Sequence, residues 1–189
     1  MSVNLYFVRH GQSVANLQDK DLFYNDEDAP LTPLGREQAR ETGKNLSEMG
    51  VHFDAVYCST YERAKETCRL VLKEMGLEDE KVIFDRRLEE RKFNGLVGKV
   101  ATSEHYRELF IYDSNRAIID GVEPIDDLER RAQSFLDSMK EQYNDKNVLV
   151  FSHAHYLVAV YAVVFGRPVS GDYNEIRLLK NGEIMEVSI

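Results

Sequence analysis

Residues 3–13 read VNLYFVRHGQS, an apolar run from Val3 to Val8 that stops abruptly at Arg9 and His10. An unbroken apolar run is the pattern of a strand buried on both faces, and a sudden charged end is what a parallel sheet produces at its carboxyl edge. Ligands collect at that edge in open α/β sheets. The pattern returns late in the chain: Val148 to Phe151 reads as a strand, then come Ser152 and His153, then an apolar helix ending near Gly166. Between the two, AVYC (55–58) predicts a short strand, and Ser59 to Met75 a helix closed by Gly76. A third short strand is expected near Val82 to Phe84. A helix from Pro33 to about Met49 is marked by Thr32 as N-cap, Pro33 at the first helical position and Gly50 just past the end. Further helices are expected around 102–113 and 125–143, and Asn181-Gly182 between two alternating runs reads as a hairpin turn.

Strands alternating with helices imply an α/β fold, a three-layer sandwich with a mostly parallel central sheet and helices on both faces. At 189 residues, 43% hydrophobic and 30% charged, the chain suits a single domain spanning 1–189. The polar stretch DRRLEERKFNGLVGK (85–99) opens an expected cap insertion around 85–125. The acidic, irregular segment 19–32 reads as a surface loop able to line the site entrance, where Asp26, Glu27 and Asp28 would disfavour multiply anionic substrates.

The formal charge of −9 argues against nucleic acid or an anionic membrane as partner, since both are repelled at long range. A small phosphate ester is not excluded, because converging arginines act at short range. Cys58 and Cys68 lack any metal or redox spacing and read as reduced structural thiols. The N-terminus shows no leader pattern and no segment approaches 18 uninterrupted apolar residues, so a cytoplasmic protein is expected. Nothing in the composition bears on assembly, which leaves room for a homodimer.

Three strand ends carry polar or basic side chains: Arg9 and His10, Ser59 with Arg63, and His153. In a parallel sheet these ends share one edge. Two imidazoles and two guanidinium groups meeting there suit phosphoryl transfer, in which a neutral imidazole attacks phosphorus and cations stabilise the equatorial oxygens. The fork of an arginine matches two phosphate oxygens at once. The competing reading for Arg63 is a helix-face salt bridge with Glu62 or Glu66.

Four blocks carry a family resemblance: LYFVRHGQSVAN (5–16), LTPLGREQA (31–39), DAVYCSTYERAKET (54–67) and NVLVFSHAH (147–155). In order and spacing they resemble the histidine phosphatase superfamily, in the branch that includes phosphoglycerate mutase-like enzymes. RLEER (87–91) resembles the family's acidic segment, and GVEP (121–124) sits where a Gly-Glu pair often precedes a helix. The resemblance implies that His10 accepts the phosphoryl group, that Arg9, Arg63 and His153 complete the phosphate pocket, and that Asn16 adds an amide donor. Gln12 and Arg91 join the expected phosphate- and substrate-binding set. Glu90 matches the proton donor, with Glu89 its adjacent rival. Expelling an alkoxide requires such an acid, and partial burial is expected to raise the pKa of Glu90. No metal and no cofactor are expected, because arginines and histidines supply the positive charge.

The chain departs from the family pattern in places. Ala154 and His155 follow His153 where glycine is usual, so His155 is either an extra substrate contact or a solvent-facing residue of the helix's first turn. Phe93 and Asn94 also differ. Arg86, Arg87, Arg91 and Lys92 offer cations for a second anionic group or form a solvated cluster. About 22 residues separate LVGK from GVEP, a short cap that favours hydrolysis of a phosphate monoester over mutase-type transfer. A phosphate-binding docking protein without turnover is the third alternative.

Overall fold

The computed structural model describes residues 2–17, 27–94, 97 and 121–189. Five strands, β1 (Asn4–Arg9), β2 (Ala55–Cys58), β3 (Val82–Phe84), β4 (Asn147–Ser152) and β5 (Ile184–Ser188), form one sheet in the order β3-β2-β4-β1-β5. The first four are mutually parallel and β5 runs antiparallel along β1. Leu5 pairs with Val148 and Val8 with Phe151. Strand side chains alternate between faces, so this register sends Leu5, Phe7, Val148 and Val150 to one side and Val8, Leu149 and Phe151 to the other. β4 is the middle strand and both its faces are covered, which is why its sequence is apolar without alternation.

Four helices supply the outer layers: α1 (Pro33–Met49), α2 (Glu62–Glu74), α3 (Ile125–Gln142) and α4 (Ala154–Phe165). α3 and α4 cover the Leu5/Phe7 face with Phe135, Met139 and Tyr156, and α1 and α2 cover the other with Ala39, Leu46, Val71 and Leu72. The mostly parallel three-layer sandwich is thus the fold, and each fully buried Leu or Phe contributes about 1.5–3 kcal/mol to it. α1 starts as its sequence dictates, with the Thr32 hydroxyl accepting from the Gly35 amide at 3.0 Å. It stops at Gly50, whose φ of 65° needs no Cβ.

Two local expectations change. α2 begins at Glu62 rather than Ser59, because Tyr61 is the extended N-cap and the hydroxyls of Ser59 and Thr60 before it are used on His153 and Glu89. Asn181-Gly182 does not close a hairpin. Gly182 alone of the pair has positive φ (77°), and the Glu183 amide closes the turn on Lys180 at 3.0 Å, the form of a type II turn. The segment before it is irregular, and β5 pairs with β1 instead. The helix expected at 102–113, most of the 85–125 cap, and Asp26 lie outside the described residues. Among the described residues no helix is long and apolar enough to cross a membrane.

Candidate active site

The parallel strands β1, β2 and β4 end on one edge, and the side chains that follow them converge there. His10 leaves β1 with its backbone fixed on both sides: its amide donates to Ser152 O at 3.0 Å, and Asn181 Nδ2 donates to its carbonyl at 2.9 Å. Gly11 next to it touches the first turn of α1. A Cβ on Gly11 would collide with the Gly35 carbonyl, and one on Gly35 with the Gln12 carbonyl, so the two glycines of RHG and PLG exist for each other. The Gly11 amide donates to Thr67 Oγ1 at 3.0 Å, tying the loop to α2.

The ring of His10 is buried, and its Nδ1 lies 2.7 Å from Gly11 O. A carbonyl can only accept, so Nδ1 carries the hydrogen and Nε2 keeps its lone pair. Arg63 Nε donates to that Nε2 at 3.2 Å. Burial first, then the charges of Arg63 and Arg9, push the imidazole well below the usual histidine range, so His10 is neutral at neutral pH. Of the two carboxylates offered to Arg63 as helix-face partners, Glu66 is engaged by Arg36 Nε at 2.6 Å and the Leu31 amide at 2.9 Å, while Arg63 Nε turns to His10.

His153 caps α4 where β4 ends, and its ring centre lies 5.1 Å from that of His10. Its Nε2 is 2.8 Å from Ser59 Oγ. Ser59 Oγ also accepts from the Tyr61 amide at 3.4 Å, and when its own hydrogen goes to Nε2 the imidazole hydrogen is on Nδ1. That Nδ1 is buried and has no hydrogen-bond partner among the described residues. Burial, then the Arg63 charge, hold His153 well below the usual range as well. Tyr61 packs edge-on against His153, its ring also carrying the Arg63 guanidinium at 5.0 Å.

The remaining expected residues fare differently. Arg9 reaches the Leu179 carbonyl through Nη1 and keeps a buried Nε without a hydrogen-bond partner among the described residues, within the field of Glu90 and Arg63. Asn16 is exposed and uses Oδ1 to accept from the Ser13 amide at 2.9 Å. Gln12 is bound into the start of α1, where Oε1 accepts from Thr32 Oγ1 at 2.9 Å. Arg91 is buried and donates to Glu123 O at 2.9 Å, with burial lowering its pKa to about 10, so it stays charged. Arg86 and Lys92 pair with Glu89, and Arg87 with Asp85, so these cations have partners of their own.

Glu90 sits against the start of α4. Its Oε1 accepts from the amides of Arg91 (3.0 Å), His155 (3.1 Å) and Tyr156 (3.2 Å), and its Oε2 lies 3.5 Å from His155 Nδ1. The expectation of a raised pKa is overturned. Burial pushes upward, but the charge and hydrogen bonding of His155, with His153 and Arg63 behind, hold the carboxyl well below the usual range. Glu89 turns the other way, to Thr60 Oγ1 at 2.7 Å. His155 does not face solvent: its side chain is 18% exposed and packs edge-on to Phe93.

Several residues that shape the site were not singled out from the sequence. Arg131 on α3 donates from Nη1 to the carbonyls of Arg87 (2.7 Å) and Glu89 (2.6 Å) and from Nη2 to that of Glu90 (3.1 Å), while its Nε and Nη2 pair with Glu123. Ser152 Oγ adds a bond to Leu88 O at 2.8 Å. An arginine on an amphipathic helix gives no hint of this clamp. Its one sequence signal is GVEP (121–124), which runs directly into α3 and holds its partner Glu123. Among the described residues no group of three or more His, Cys, Asp or Glu is gathered to hold a metal ion.

Residues 5–189 match the histidine phosphatase superfamily (branch 1). A 2,3-bisphosphoglycerate-dependent phosphoglycerate mutase of Azorhizobium caulinodans is 46% identical over 94 residues, 50% of this chain and 45% of that protein. The enzyme of the same name in Rhizobium meliloti is 44% identical over 98 residues, 52% and 46% of the two chains. The match thus spans about half the length of these curated relatives. A solved Escherichia coli structure, provisionally described as an alpha-ribazole-5'-P phosphatase, superposes with a TM-score of 0.75 at 27% identity, over 99% of this chain and 90% of that one. A mycobacterial glucosyl-3-phosphoglycerate phosphatase superposes at 0.80 with 21% identity over 100% and 91%, a likeness of fold. Because the family match runs from the first strand to the last, the chain belongs to the histidine phosphatase superfamily.

Proposed function

We propose that this chain hydrolyses a small phosphate monoester through a covalent phosphohistidine on His10. What supports the reading above all is His10 itself: neutral, buried, Nε2 lone pair free of a proton, and a guanidinium hydrogen-bonded to that atom. The Nε2 pair attacks phosphorus and the bond to the leaving oxygen breaks. That oxygen takes the proton of the Glu90 carboxyl. Nδ1–H against Gly11 O steadies the charge that the imidazole gains. Water then attacks phosphorus, the P–N pair returns to Nε2, and the Glu90 carboxylate takes the proton from water.

In this reading Arg63 turns from Nε2 to the phosphoryl oxygens, Arg9 Nε and His153 Nδ1–H donate to them, and Asn16 offers its Nδ2. No metal or cofactor is called for. The dianion also answers how an ionised Glu90 becomes an acid: negative charge placed between it and Arg63 cancels the field that holds it deprotonated. The name shared by the two rhizobial relatives favours a second reading, mutase-type transfer, in which a substrate hydroxyl replaces water.

The test is turnover of p-nitrophenyl phosphate with and without EDTA, against His10→Ala. The expected result is chelator-insensitive release of phosphate, lost by about 10⁴-fold or more in the variant, and an acid-labile phosphohistidine trapped by quenching. No rate above background in the parent chain would leave only a phosphate-binding protein. With 3-phosphoglycerate and a trace of its bisphosphate, isomerisation outrunning phosphate release would install the mutase.

A further inference from the structure

Glu90 and His155 are 65 residues apart in the chain and form a side-chain pair at the pocket's edge. The three amides on Oε1 come from two directions, Arg91 next in the chain and the first turn of α4. Oε1 with three amide donors is a poorer place for a proton than Oε2, which meets one amide, that of His155 at 3.4 Å. His155 Nδ1 is the side-chain nitrogen that faces Oε2, at 3.5 Å. The ring is held there by the edge of Phe93, with centroids 5.3 Å apart.

The N-terminus of α4 carries partial positive charge, which favours an anion beside it by about 0.3–1 kcal/mol. Helix dipole and imidazole then act on Glu90 in the same sense. The cations that bear on Glu90 are Arg63 on α2, Arg9 at the end of β1 and Arg91 beside it in the chain, and the other titratable groups facing it are the neutral imidazoles of His153 at the α4 cap and His10 after β1 and the neutral Tyr61 phenol. Most of these are committed to the phosphoryl group in the proposed mechanism. His155 has no part in that group and stands beside Glu90, 3.5 Å from Oε2.

We propose that His155 is a positioning residue that acts through Glu90, its imidazole serving as counter-charge to Oε2 and so fixing the pH above which acid-assisted cleavage of the ester stops. The inference rests on Glu90 being the proton donor. It narrows the expected substrates to esters with poor leaving groups, alkyl phosphates above all, because only these need the proton that the pair controls.

The experiment compares kcat/KM against pH for the parent, His155→Asn and His155→Lys on glycerol 2-phosphate and on p-nitrophenyl phosphate. With the neutral asparagine, the descending limb for glycerol 2-phosphate moves to higher pH, giving about a tenfold gain above the parent's limb for each unit moved. The permanently charged lysine keeps the limb at or below the parent's position. The nitrophenyl profile stays in place for both, since nitrophenolate leaves without help. Circular dichroism melts report folding, and His155→Gln replaces the asparagine variant if that one fails to fold. An unmoved limb in the neutral variant, or an equal loss for both substrates at every pH, overturns the proposal. Glu90→Gln separates the two claims. If it leaves the glycerol 2-phosphate profile intact, the acid assignment falls and takes His155 with it. A limb abolished by Glu90→Gln but untouched by His155→Asn sinks the His155 proposal alone.

Discussion

His10 and Glu90 face the same cluster of arginines and are both largely withdrawn from water, yet one is held neutral and the other ionised. Burial penalises charge in both. For the imidazole the neighbours side with burial, since Arg63 and Arg9 repel a second positive charge and Gly11 O already takes the one ring hydrogen. For the carboxyl they oppose it: three amides and the cations of the pocket outweigh desolvation. Burial alone therefore does not set a protonation state. The sign of the charges and the count of donors around each group decide it. One cluster of cations makes a nucleophile at one end of the pocket and a carboxylate at the other.

Arg63 is the residue common to both ends, so removing it tests the comparison hardest. Arg63→Leu is expected to lower kcat/KM by about 10²–10³-fold, the loss typical of a transition-state charge donor. It also makes a signed prediction. Without the guanidinium, His10 and Glu90 both protonate more readily, so the ascending and descending limbs of the pH profile both move to higher pH. Steady-state kinetics across pH on glycerol 2-phosphate read this directly. A uniform loss with both limbs in place would mean that Arg63 holds phosphate without governing either group.

The nucleophile end was legible in the sequence because it follows from where apolar runs stop. Arg9 and His10, Ser59 and Arg63, and His153 each come just after a buried strand, and parallel pairing in the order β2-β4-β1 brings those stops together. The position of Glu90 came only through resemblance, and its ionisation was misjudged. That state depends on amides from residues 91, 155 and 156 and on a pair between residues 90 and 155, contacts that the sequence does not encode locally. Arg131 was invisible for the same reason, being one charge among several on α3. The Asn181-Gly182 turn was seen but given the wrong partner, since β5 pairs with β1 from the start of the chain and not with the segment just before the turn. Its real use is that Asn181 holds the His10 carbonyl.

The two ends should also part on acidification. His10 and His153 have folded-state pKa values below their unfolded ones, so below about pH 6.5 the unfolded chain takes up protons that the folded one refuses. Stability is full above that pH and falls as pH drops, by at most about 1.4 kcal/mol per pH unit for each histidine. Glu90 has a lowered pKa too, and its contribution is present above about pH 4.5 and lost only as pH falls further, through its folded value. Denaturant melts at pH 7.5 and 5.5 should thus show the histidine loss alone, and His10→Gln with His153→Gln should flatten it. A parent stability that does not change between those two pH values would break the picture of imidazoles held neutral by burial.

The finest distinction concerns the hydrogen on His153, which has no counterpart at Glu90. His10 is locked in its tautomer by a backbone carbonyl, but His153 depends on the Ser59 hydroxyl, which donates to Nε2 while the Tyr61 amide supplies Ser59 with its own donor. In Ser59→Ala the ring stays put, held by burial and by the edge of Tyr61 at 5.1 Å. What is lost is the reason for the hydrogen to be on Nδ1, and with it one donor to the phosphoryl oxygens. A single hydrogen bond to a charged acceptor is worth about 1.5–3 kcal/mol at most, and the neutral ring can still adopt the right tautomer part of the time. Inhibition by vanadate should weaken by roughly tenfold, close to 1.4 kcal/mol, and Ser59→Thr, which keeps the hydroxyl, should restore it. The pH limbs should not move, because a neutral hydroxyl carries no charge to bias His10 or Glu90. A shifted limb in Ser59→Ala would mean that the hydroxyl matters through the water it excludes rather than through the tautomer it selects.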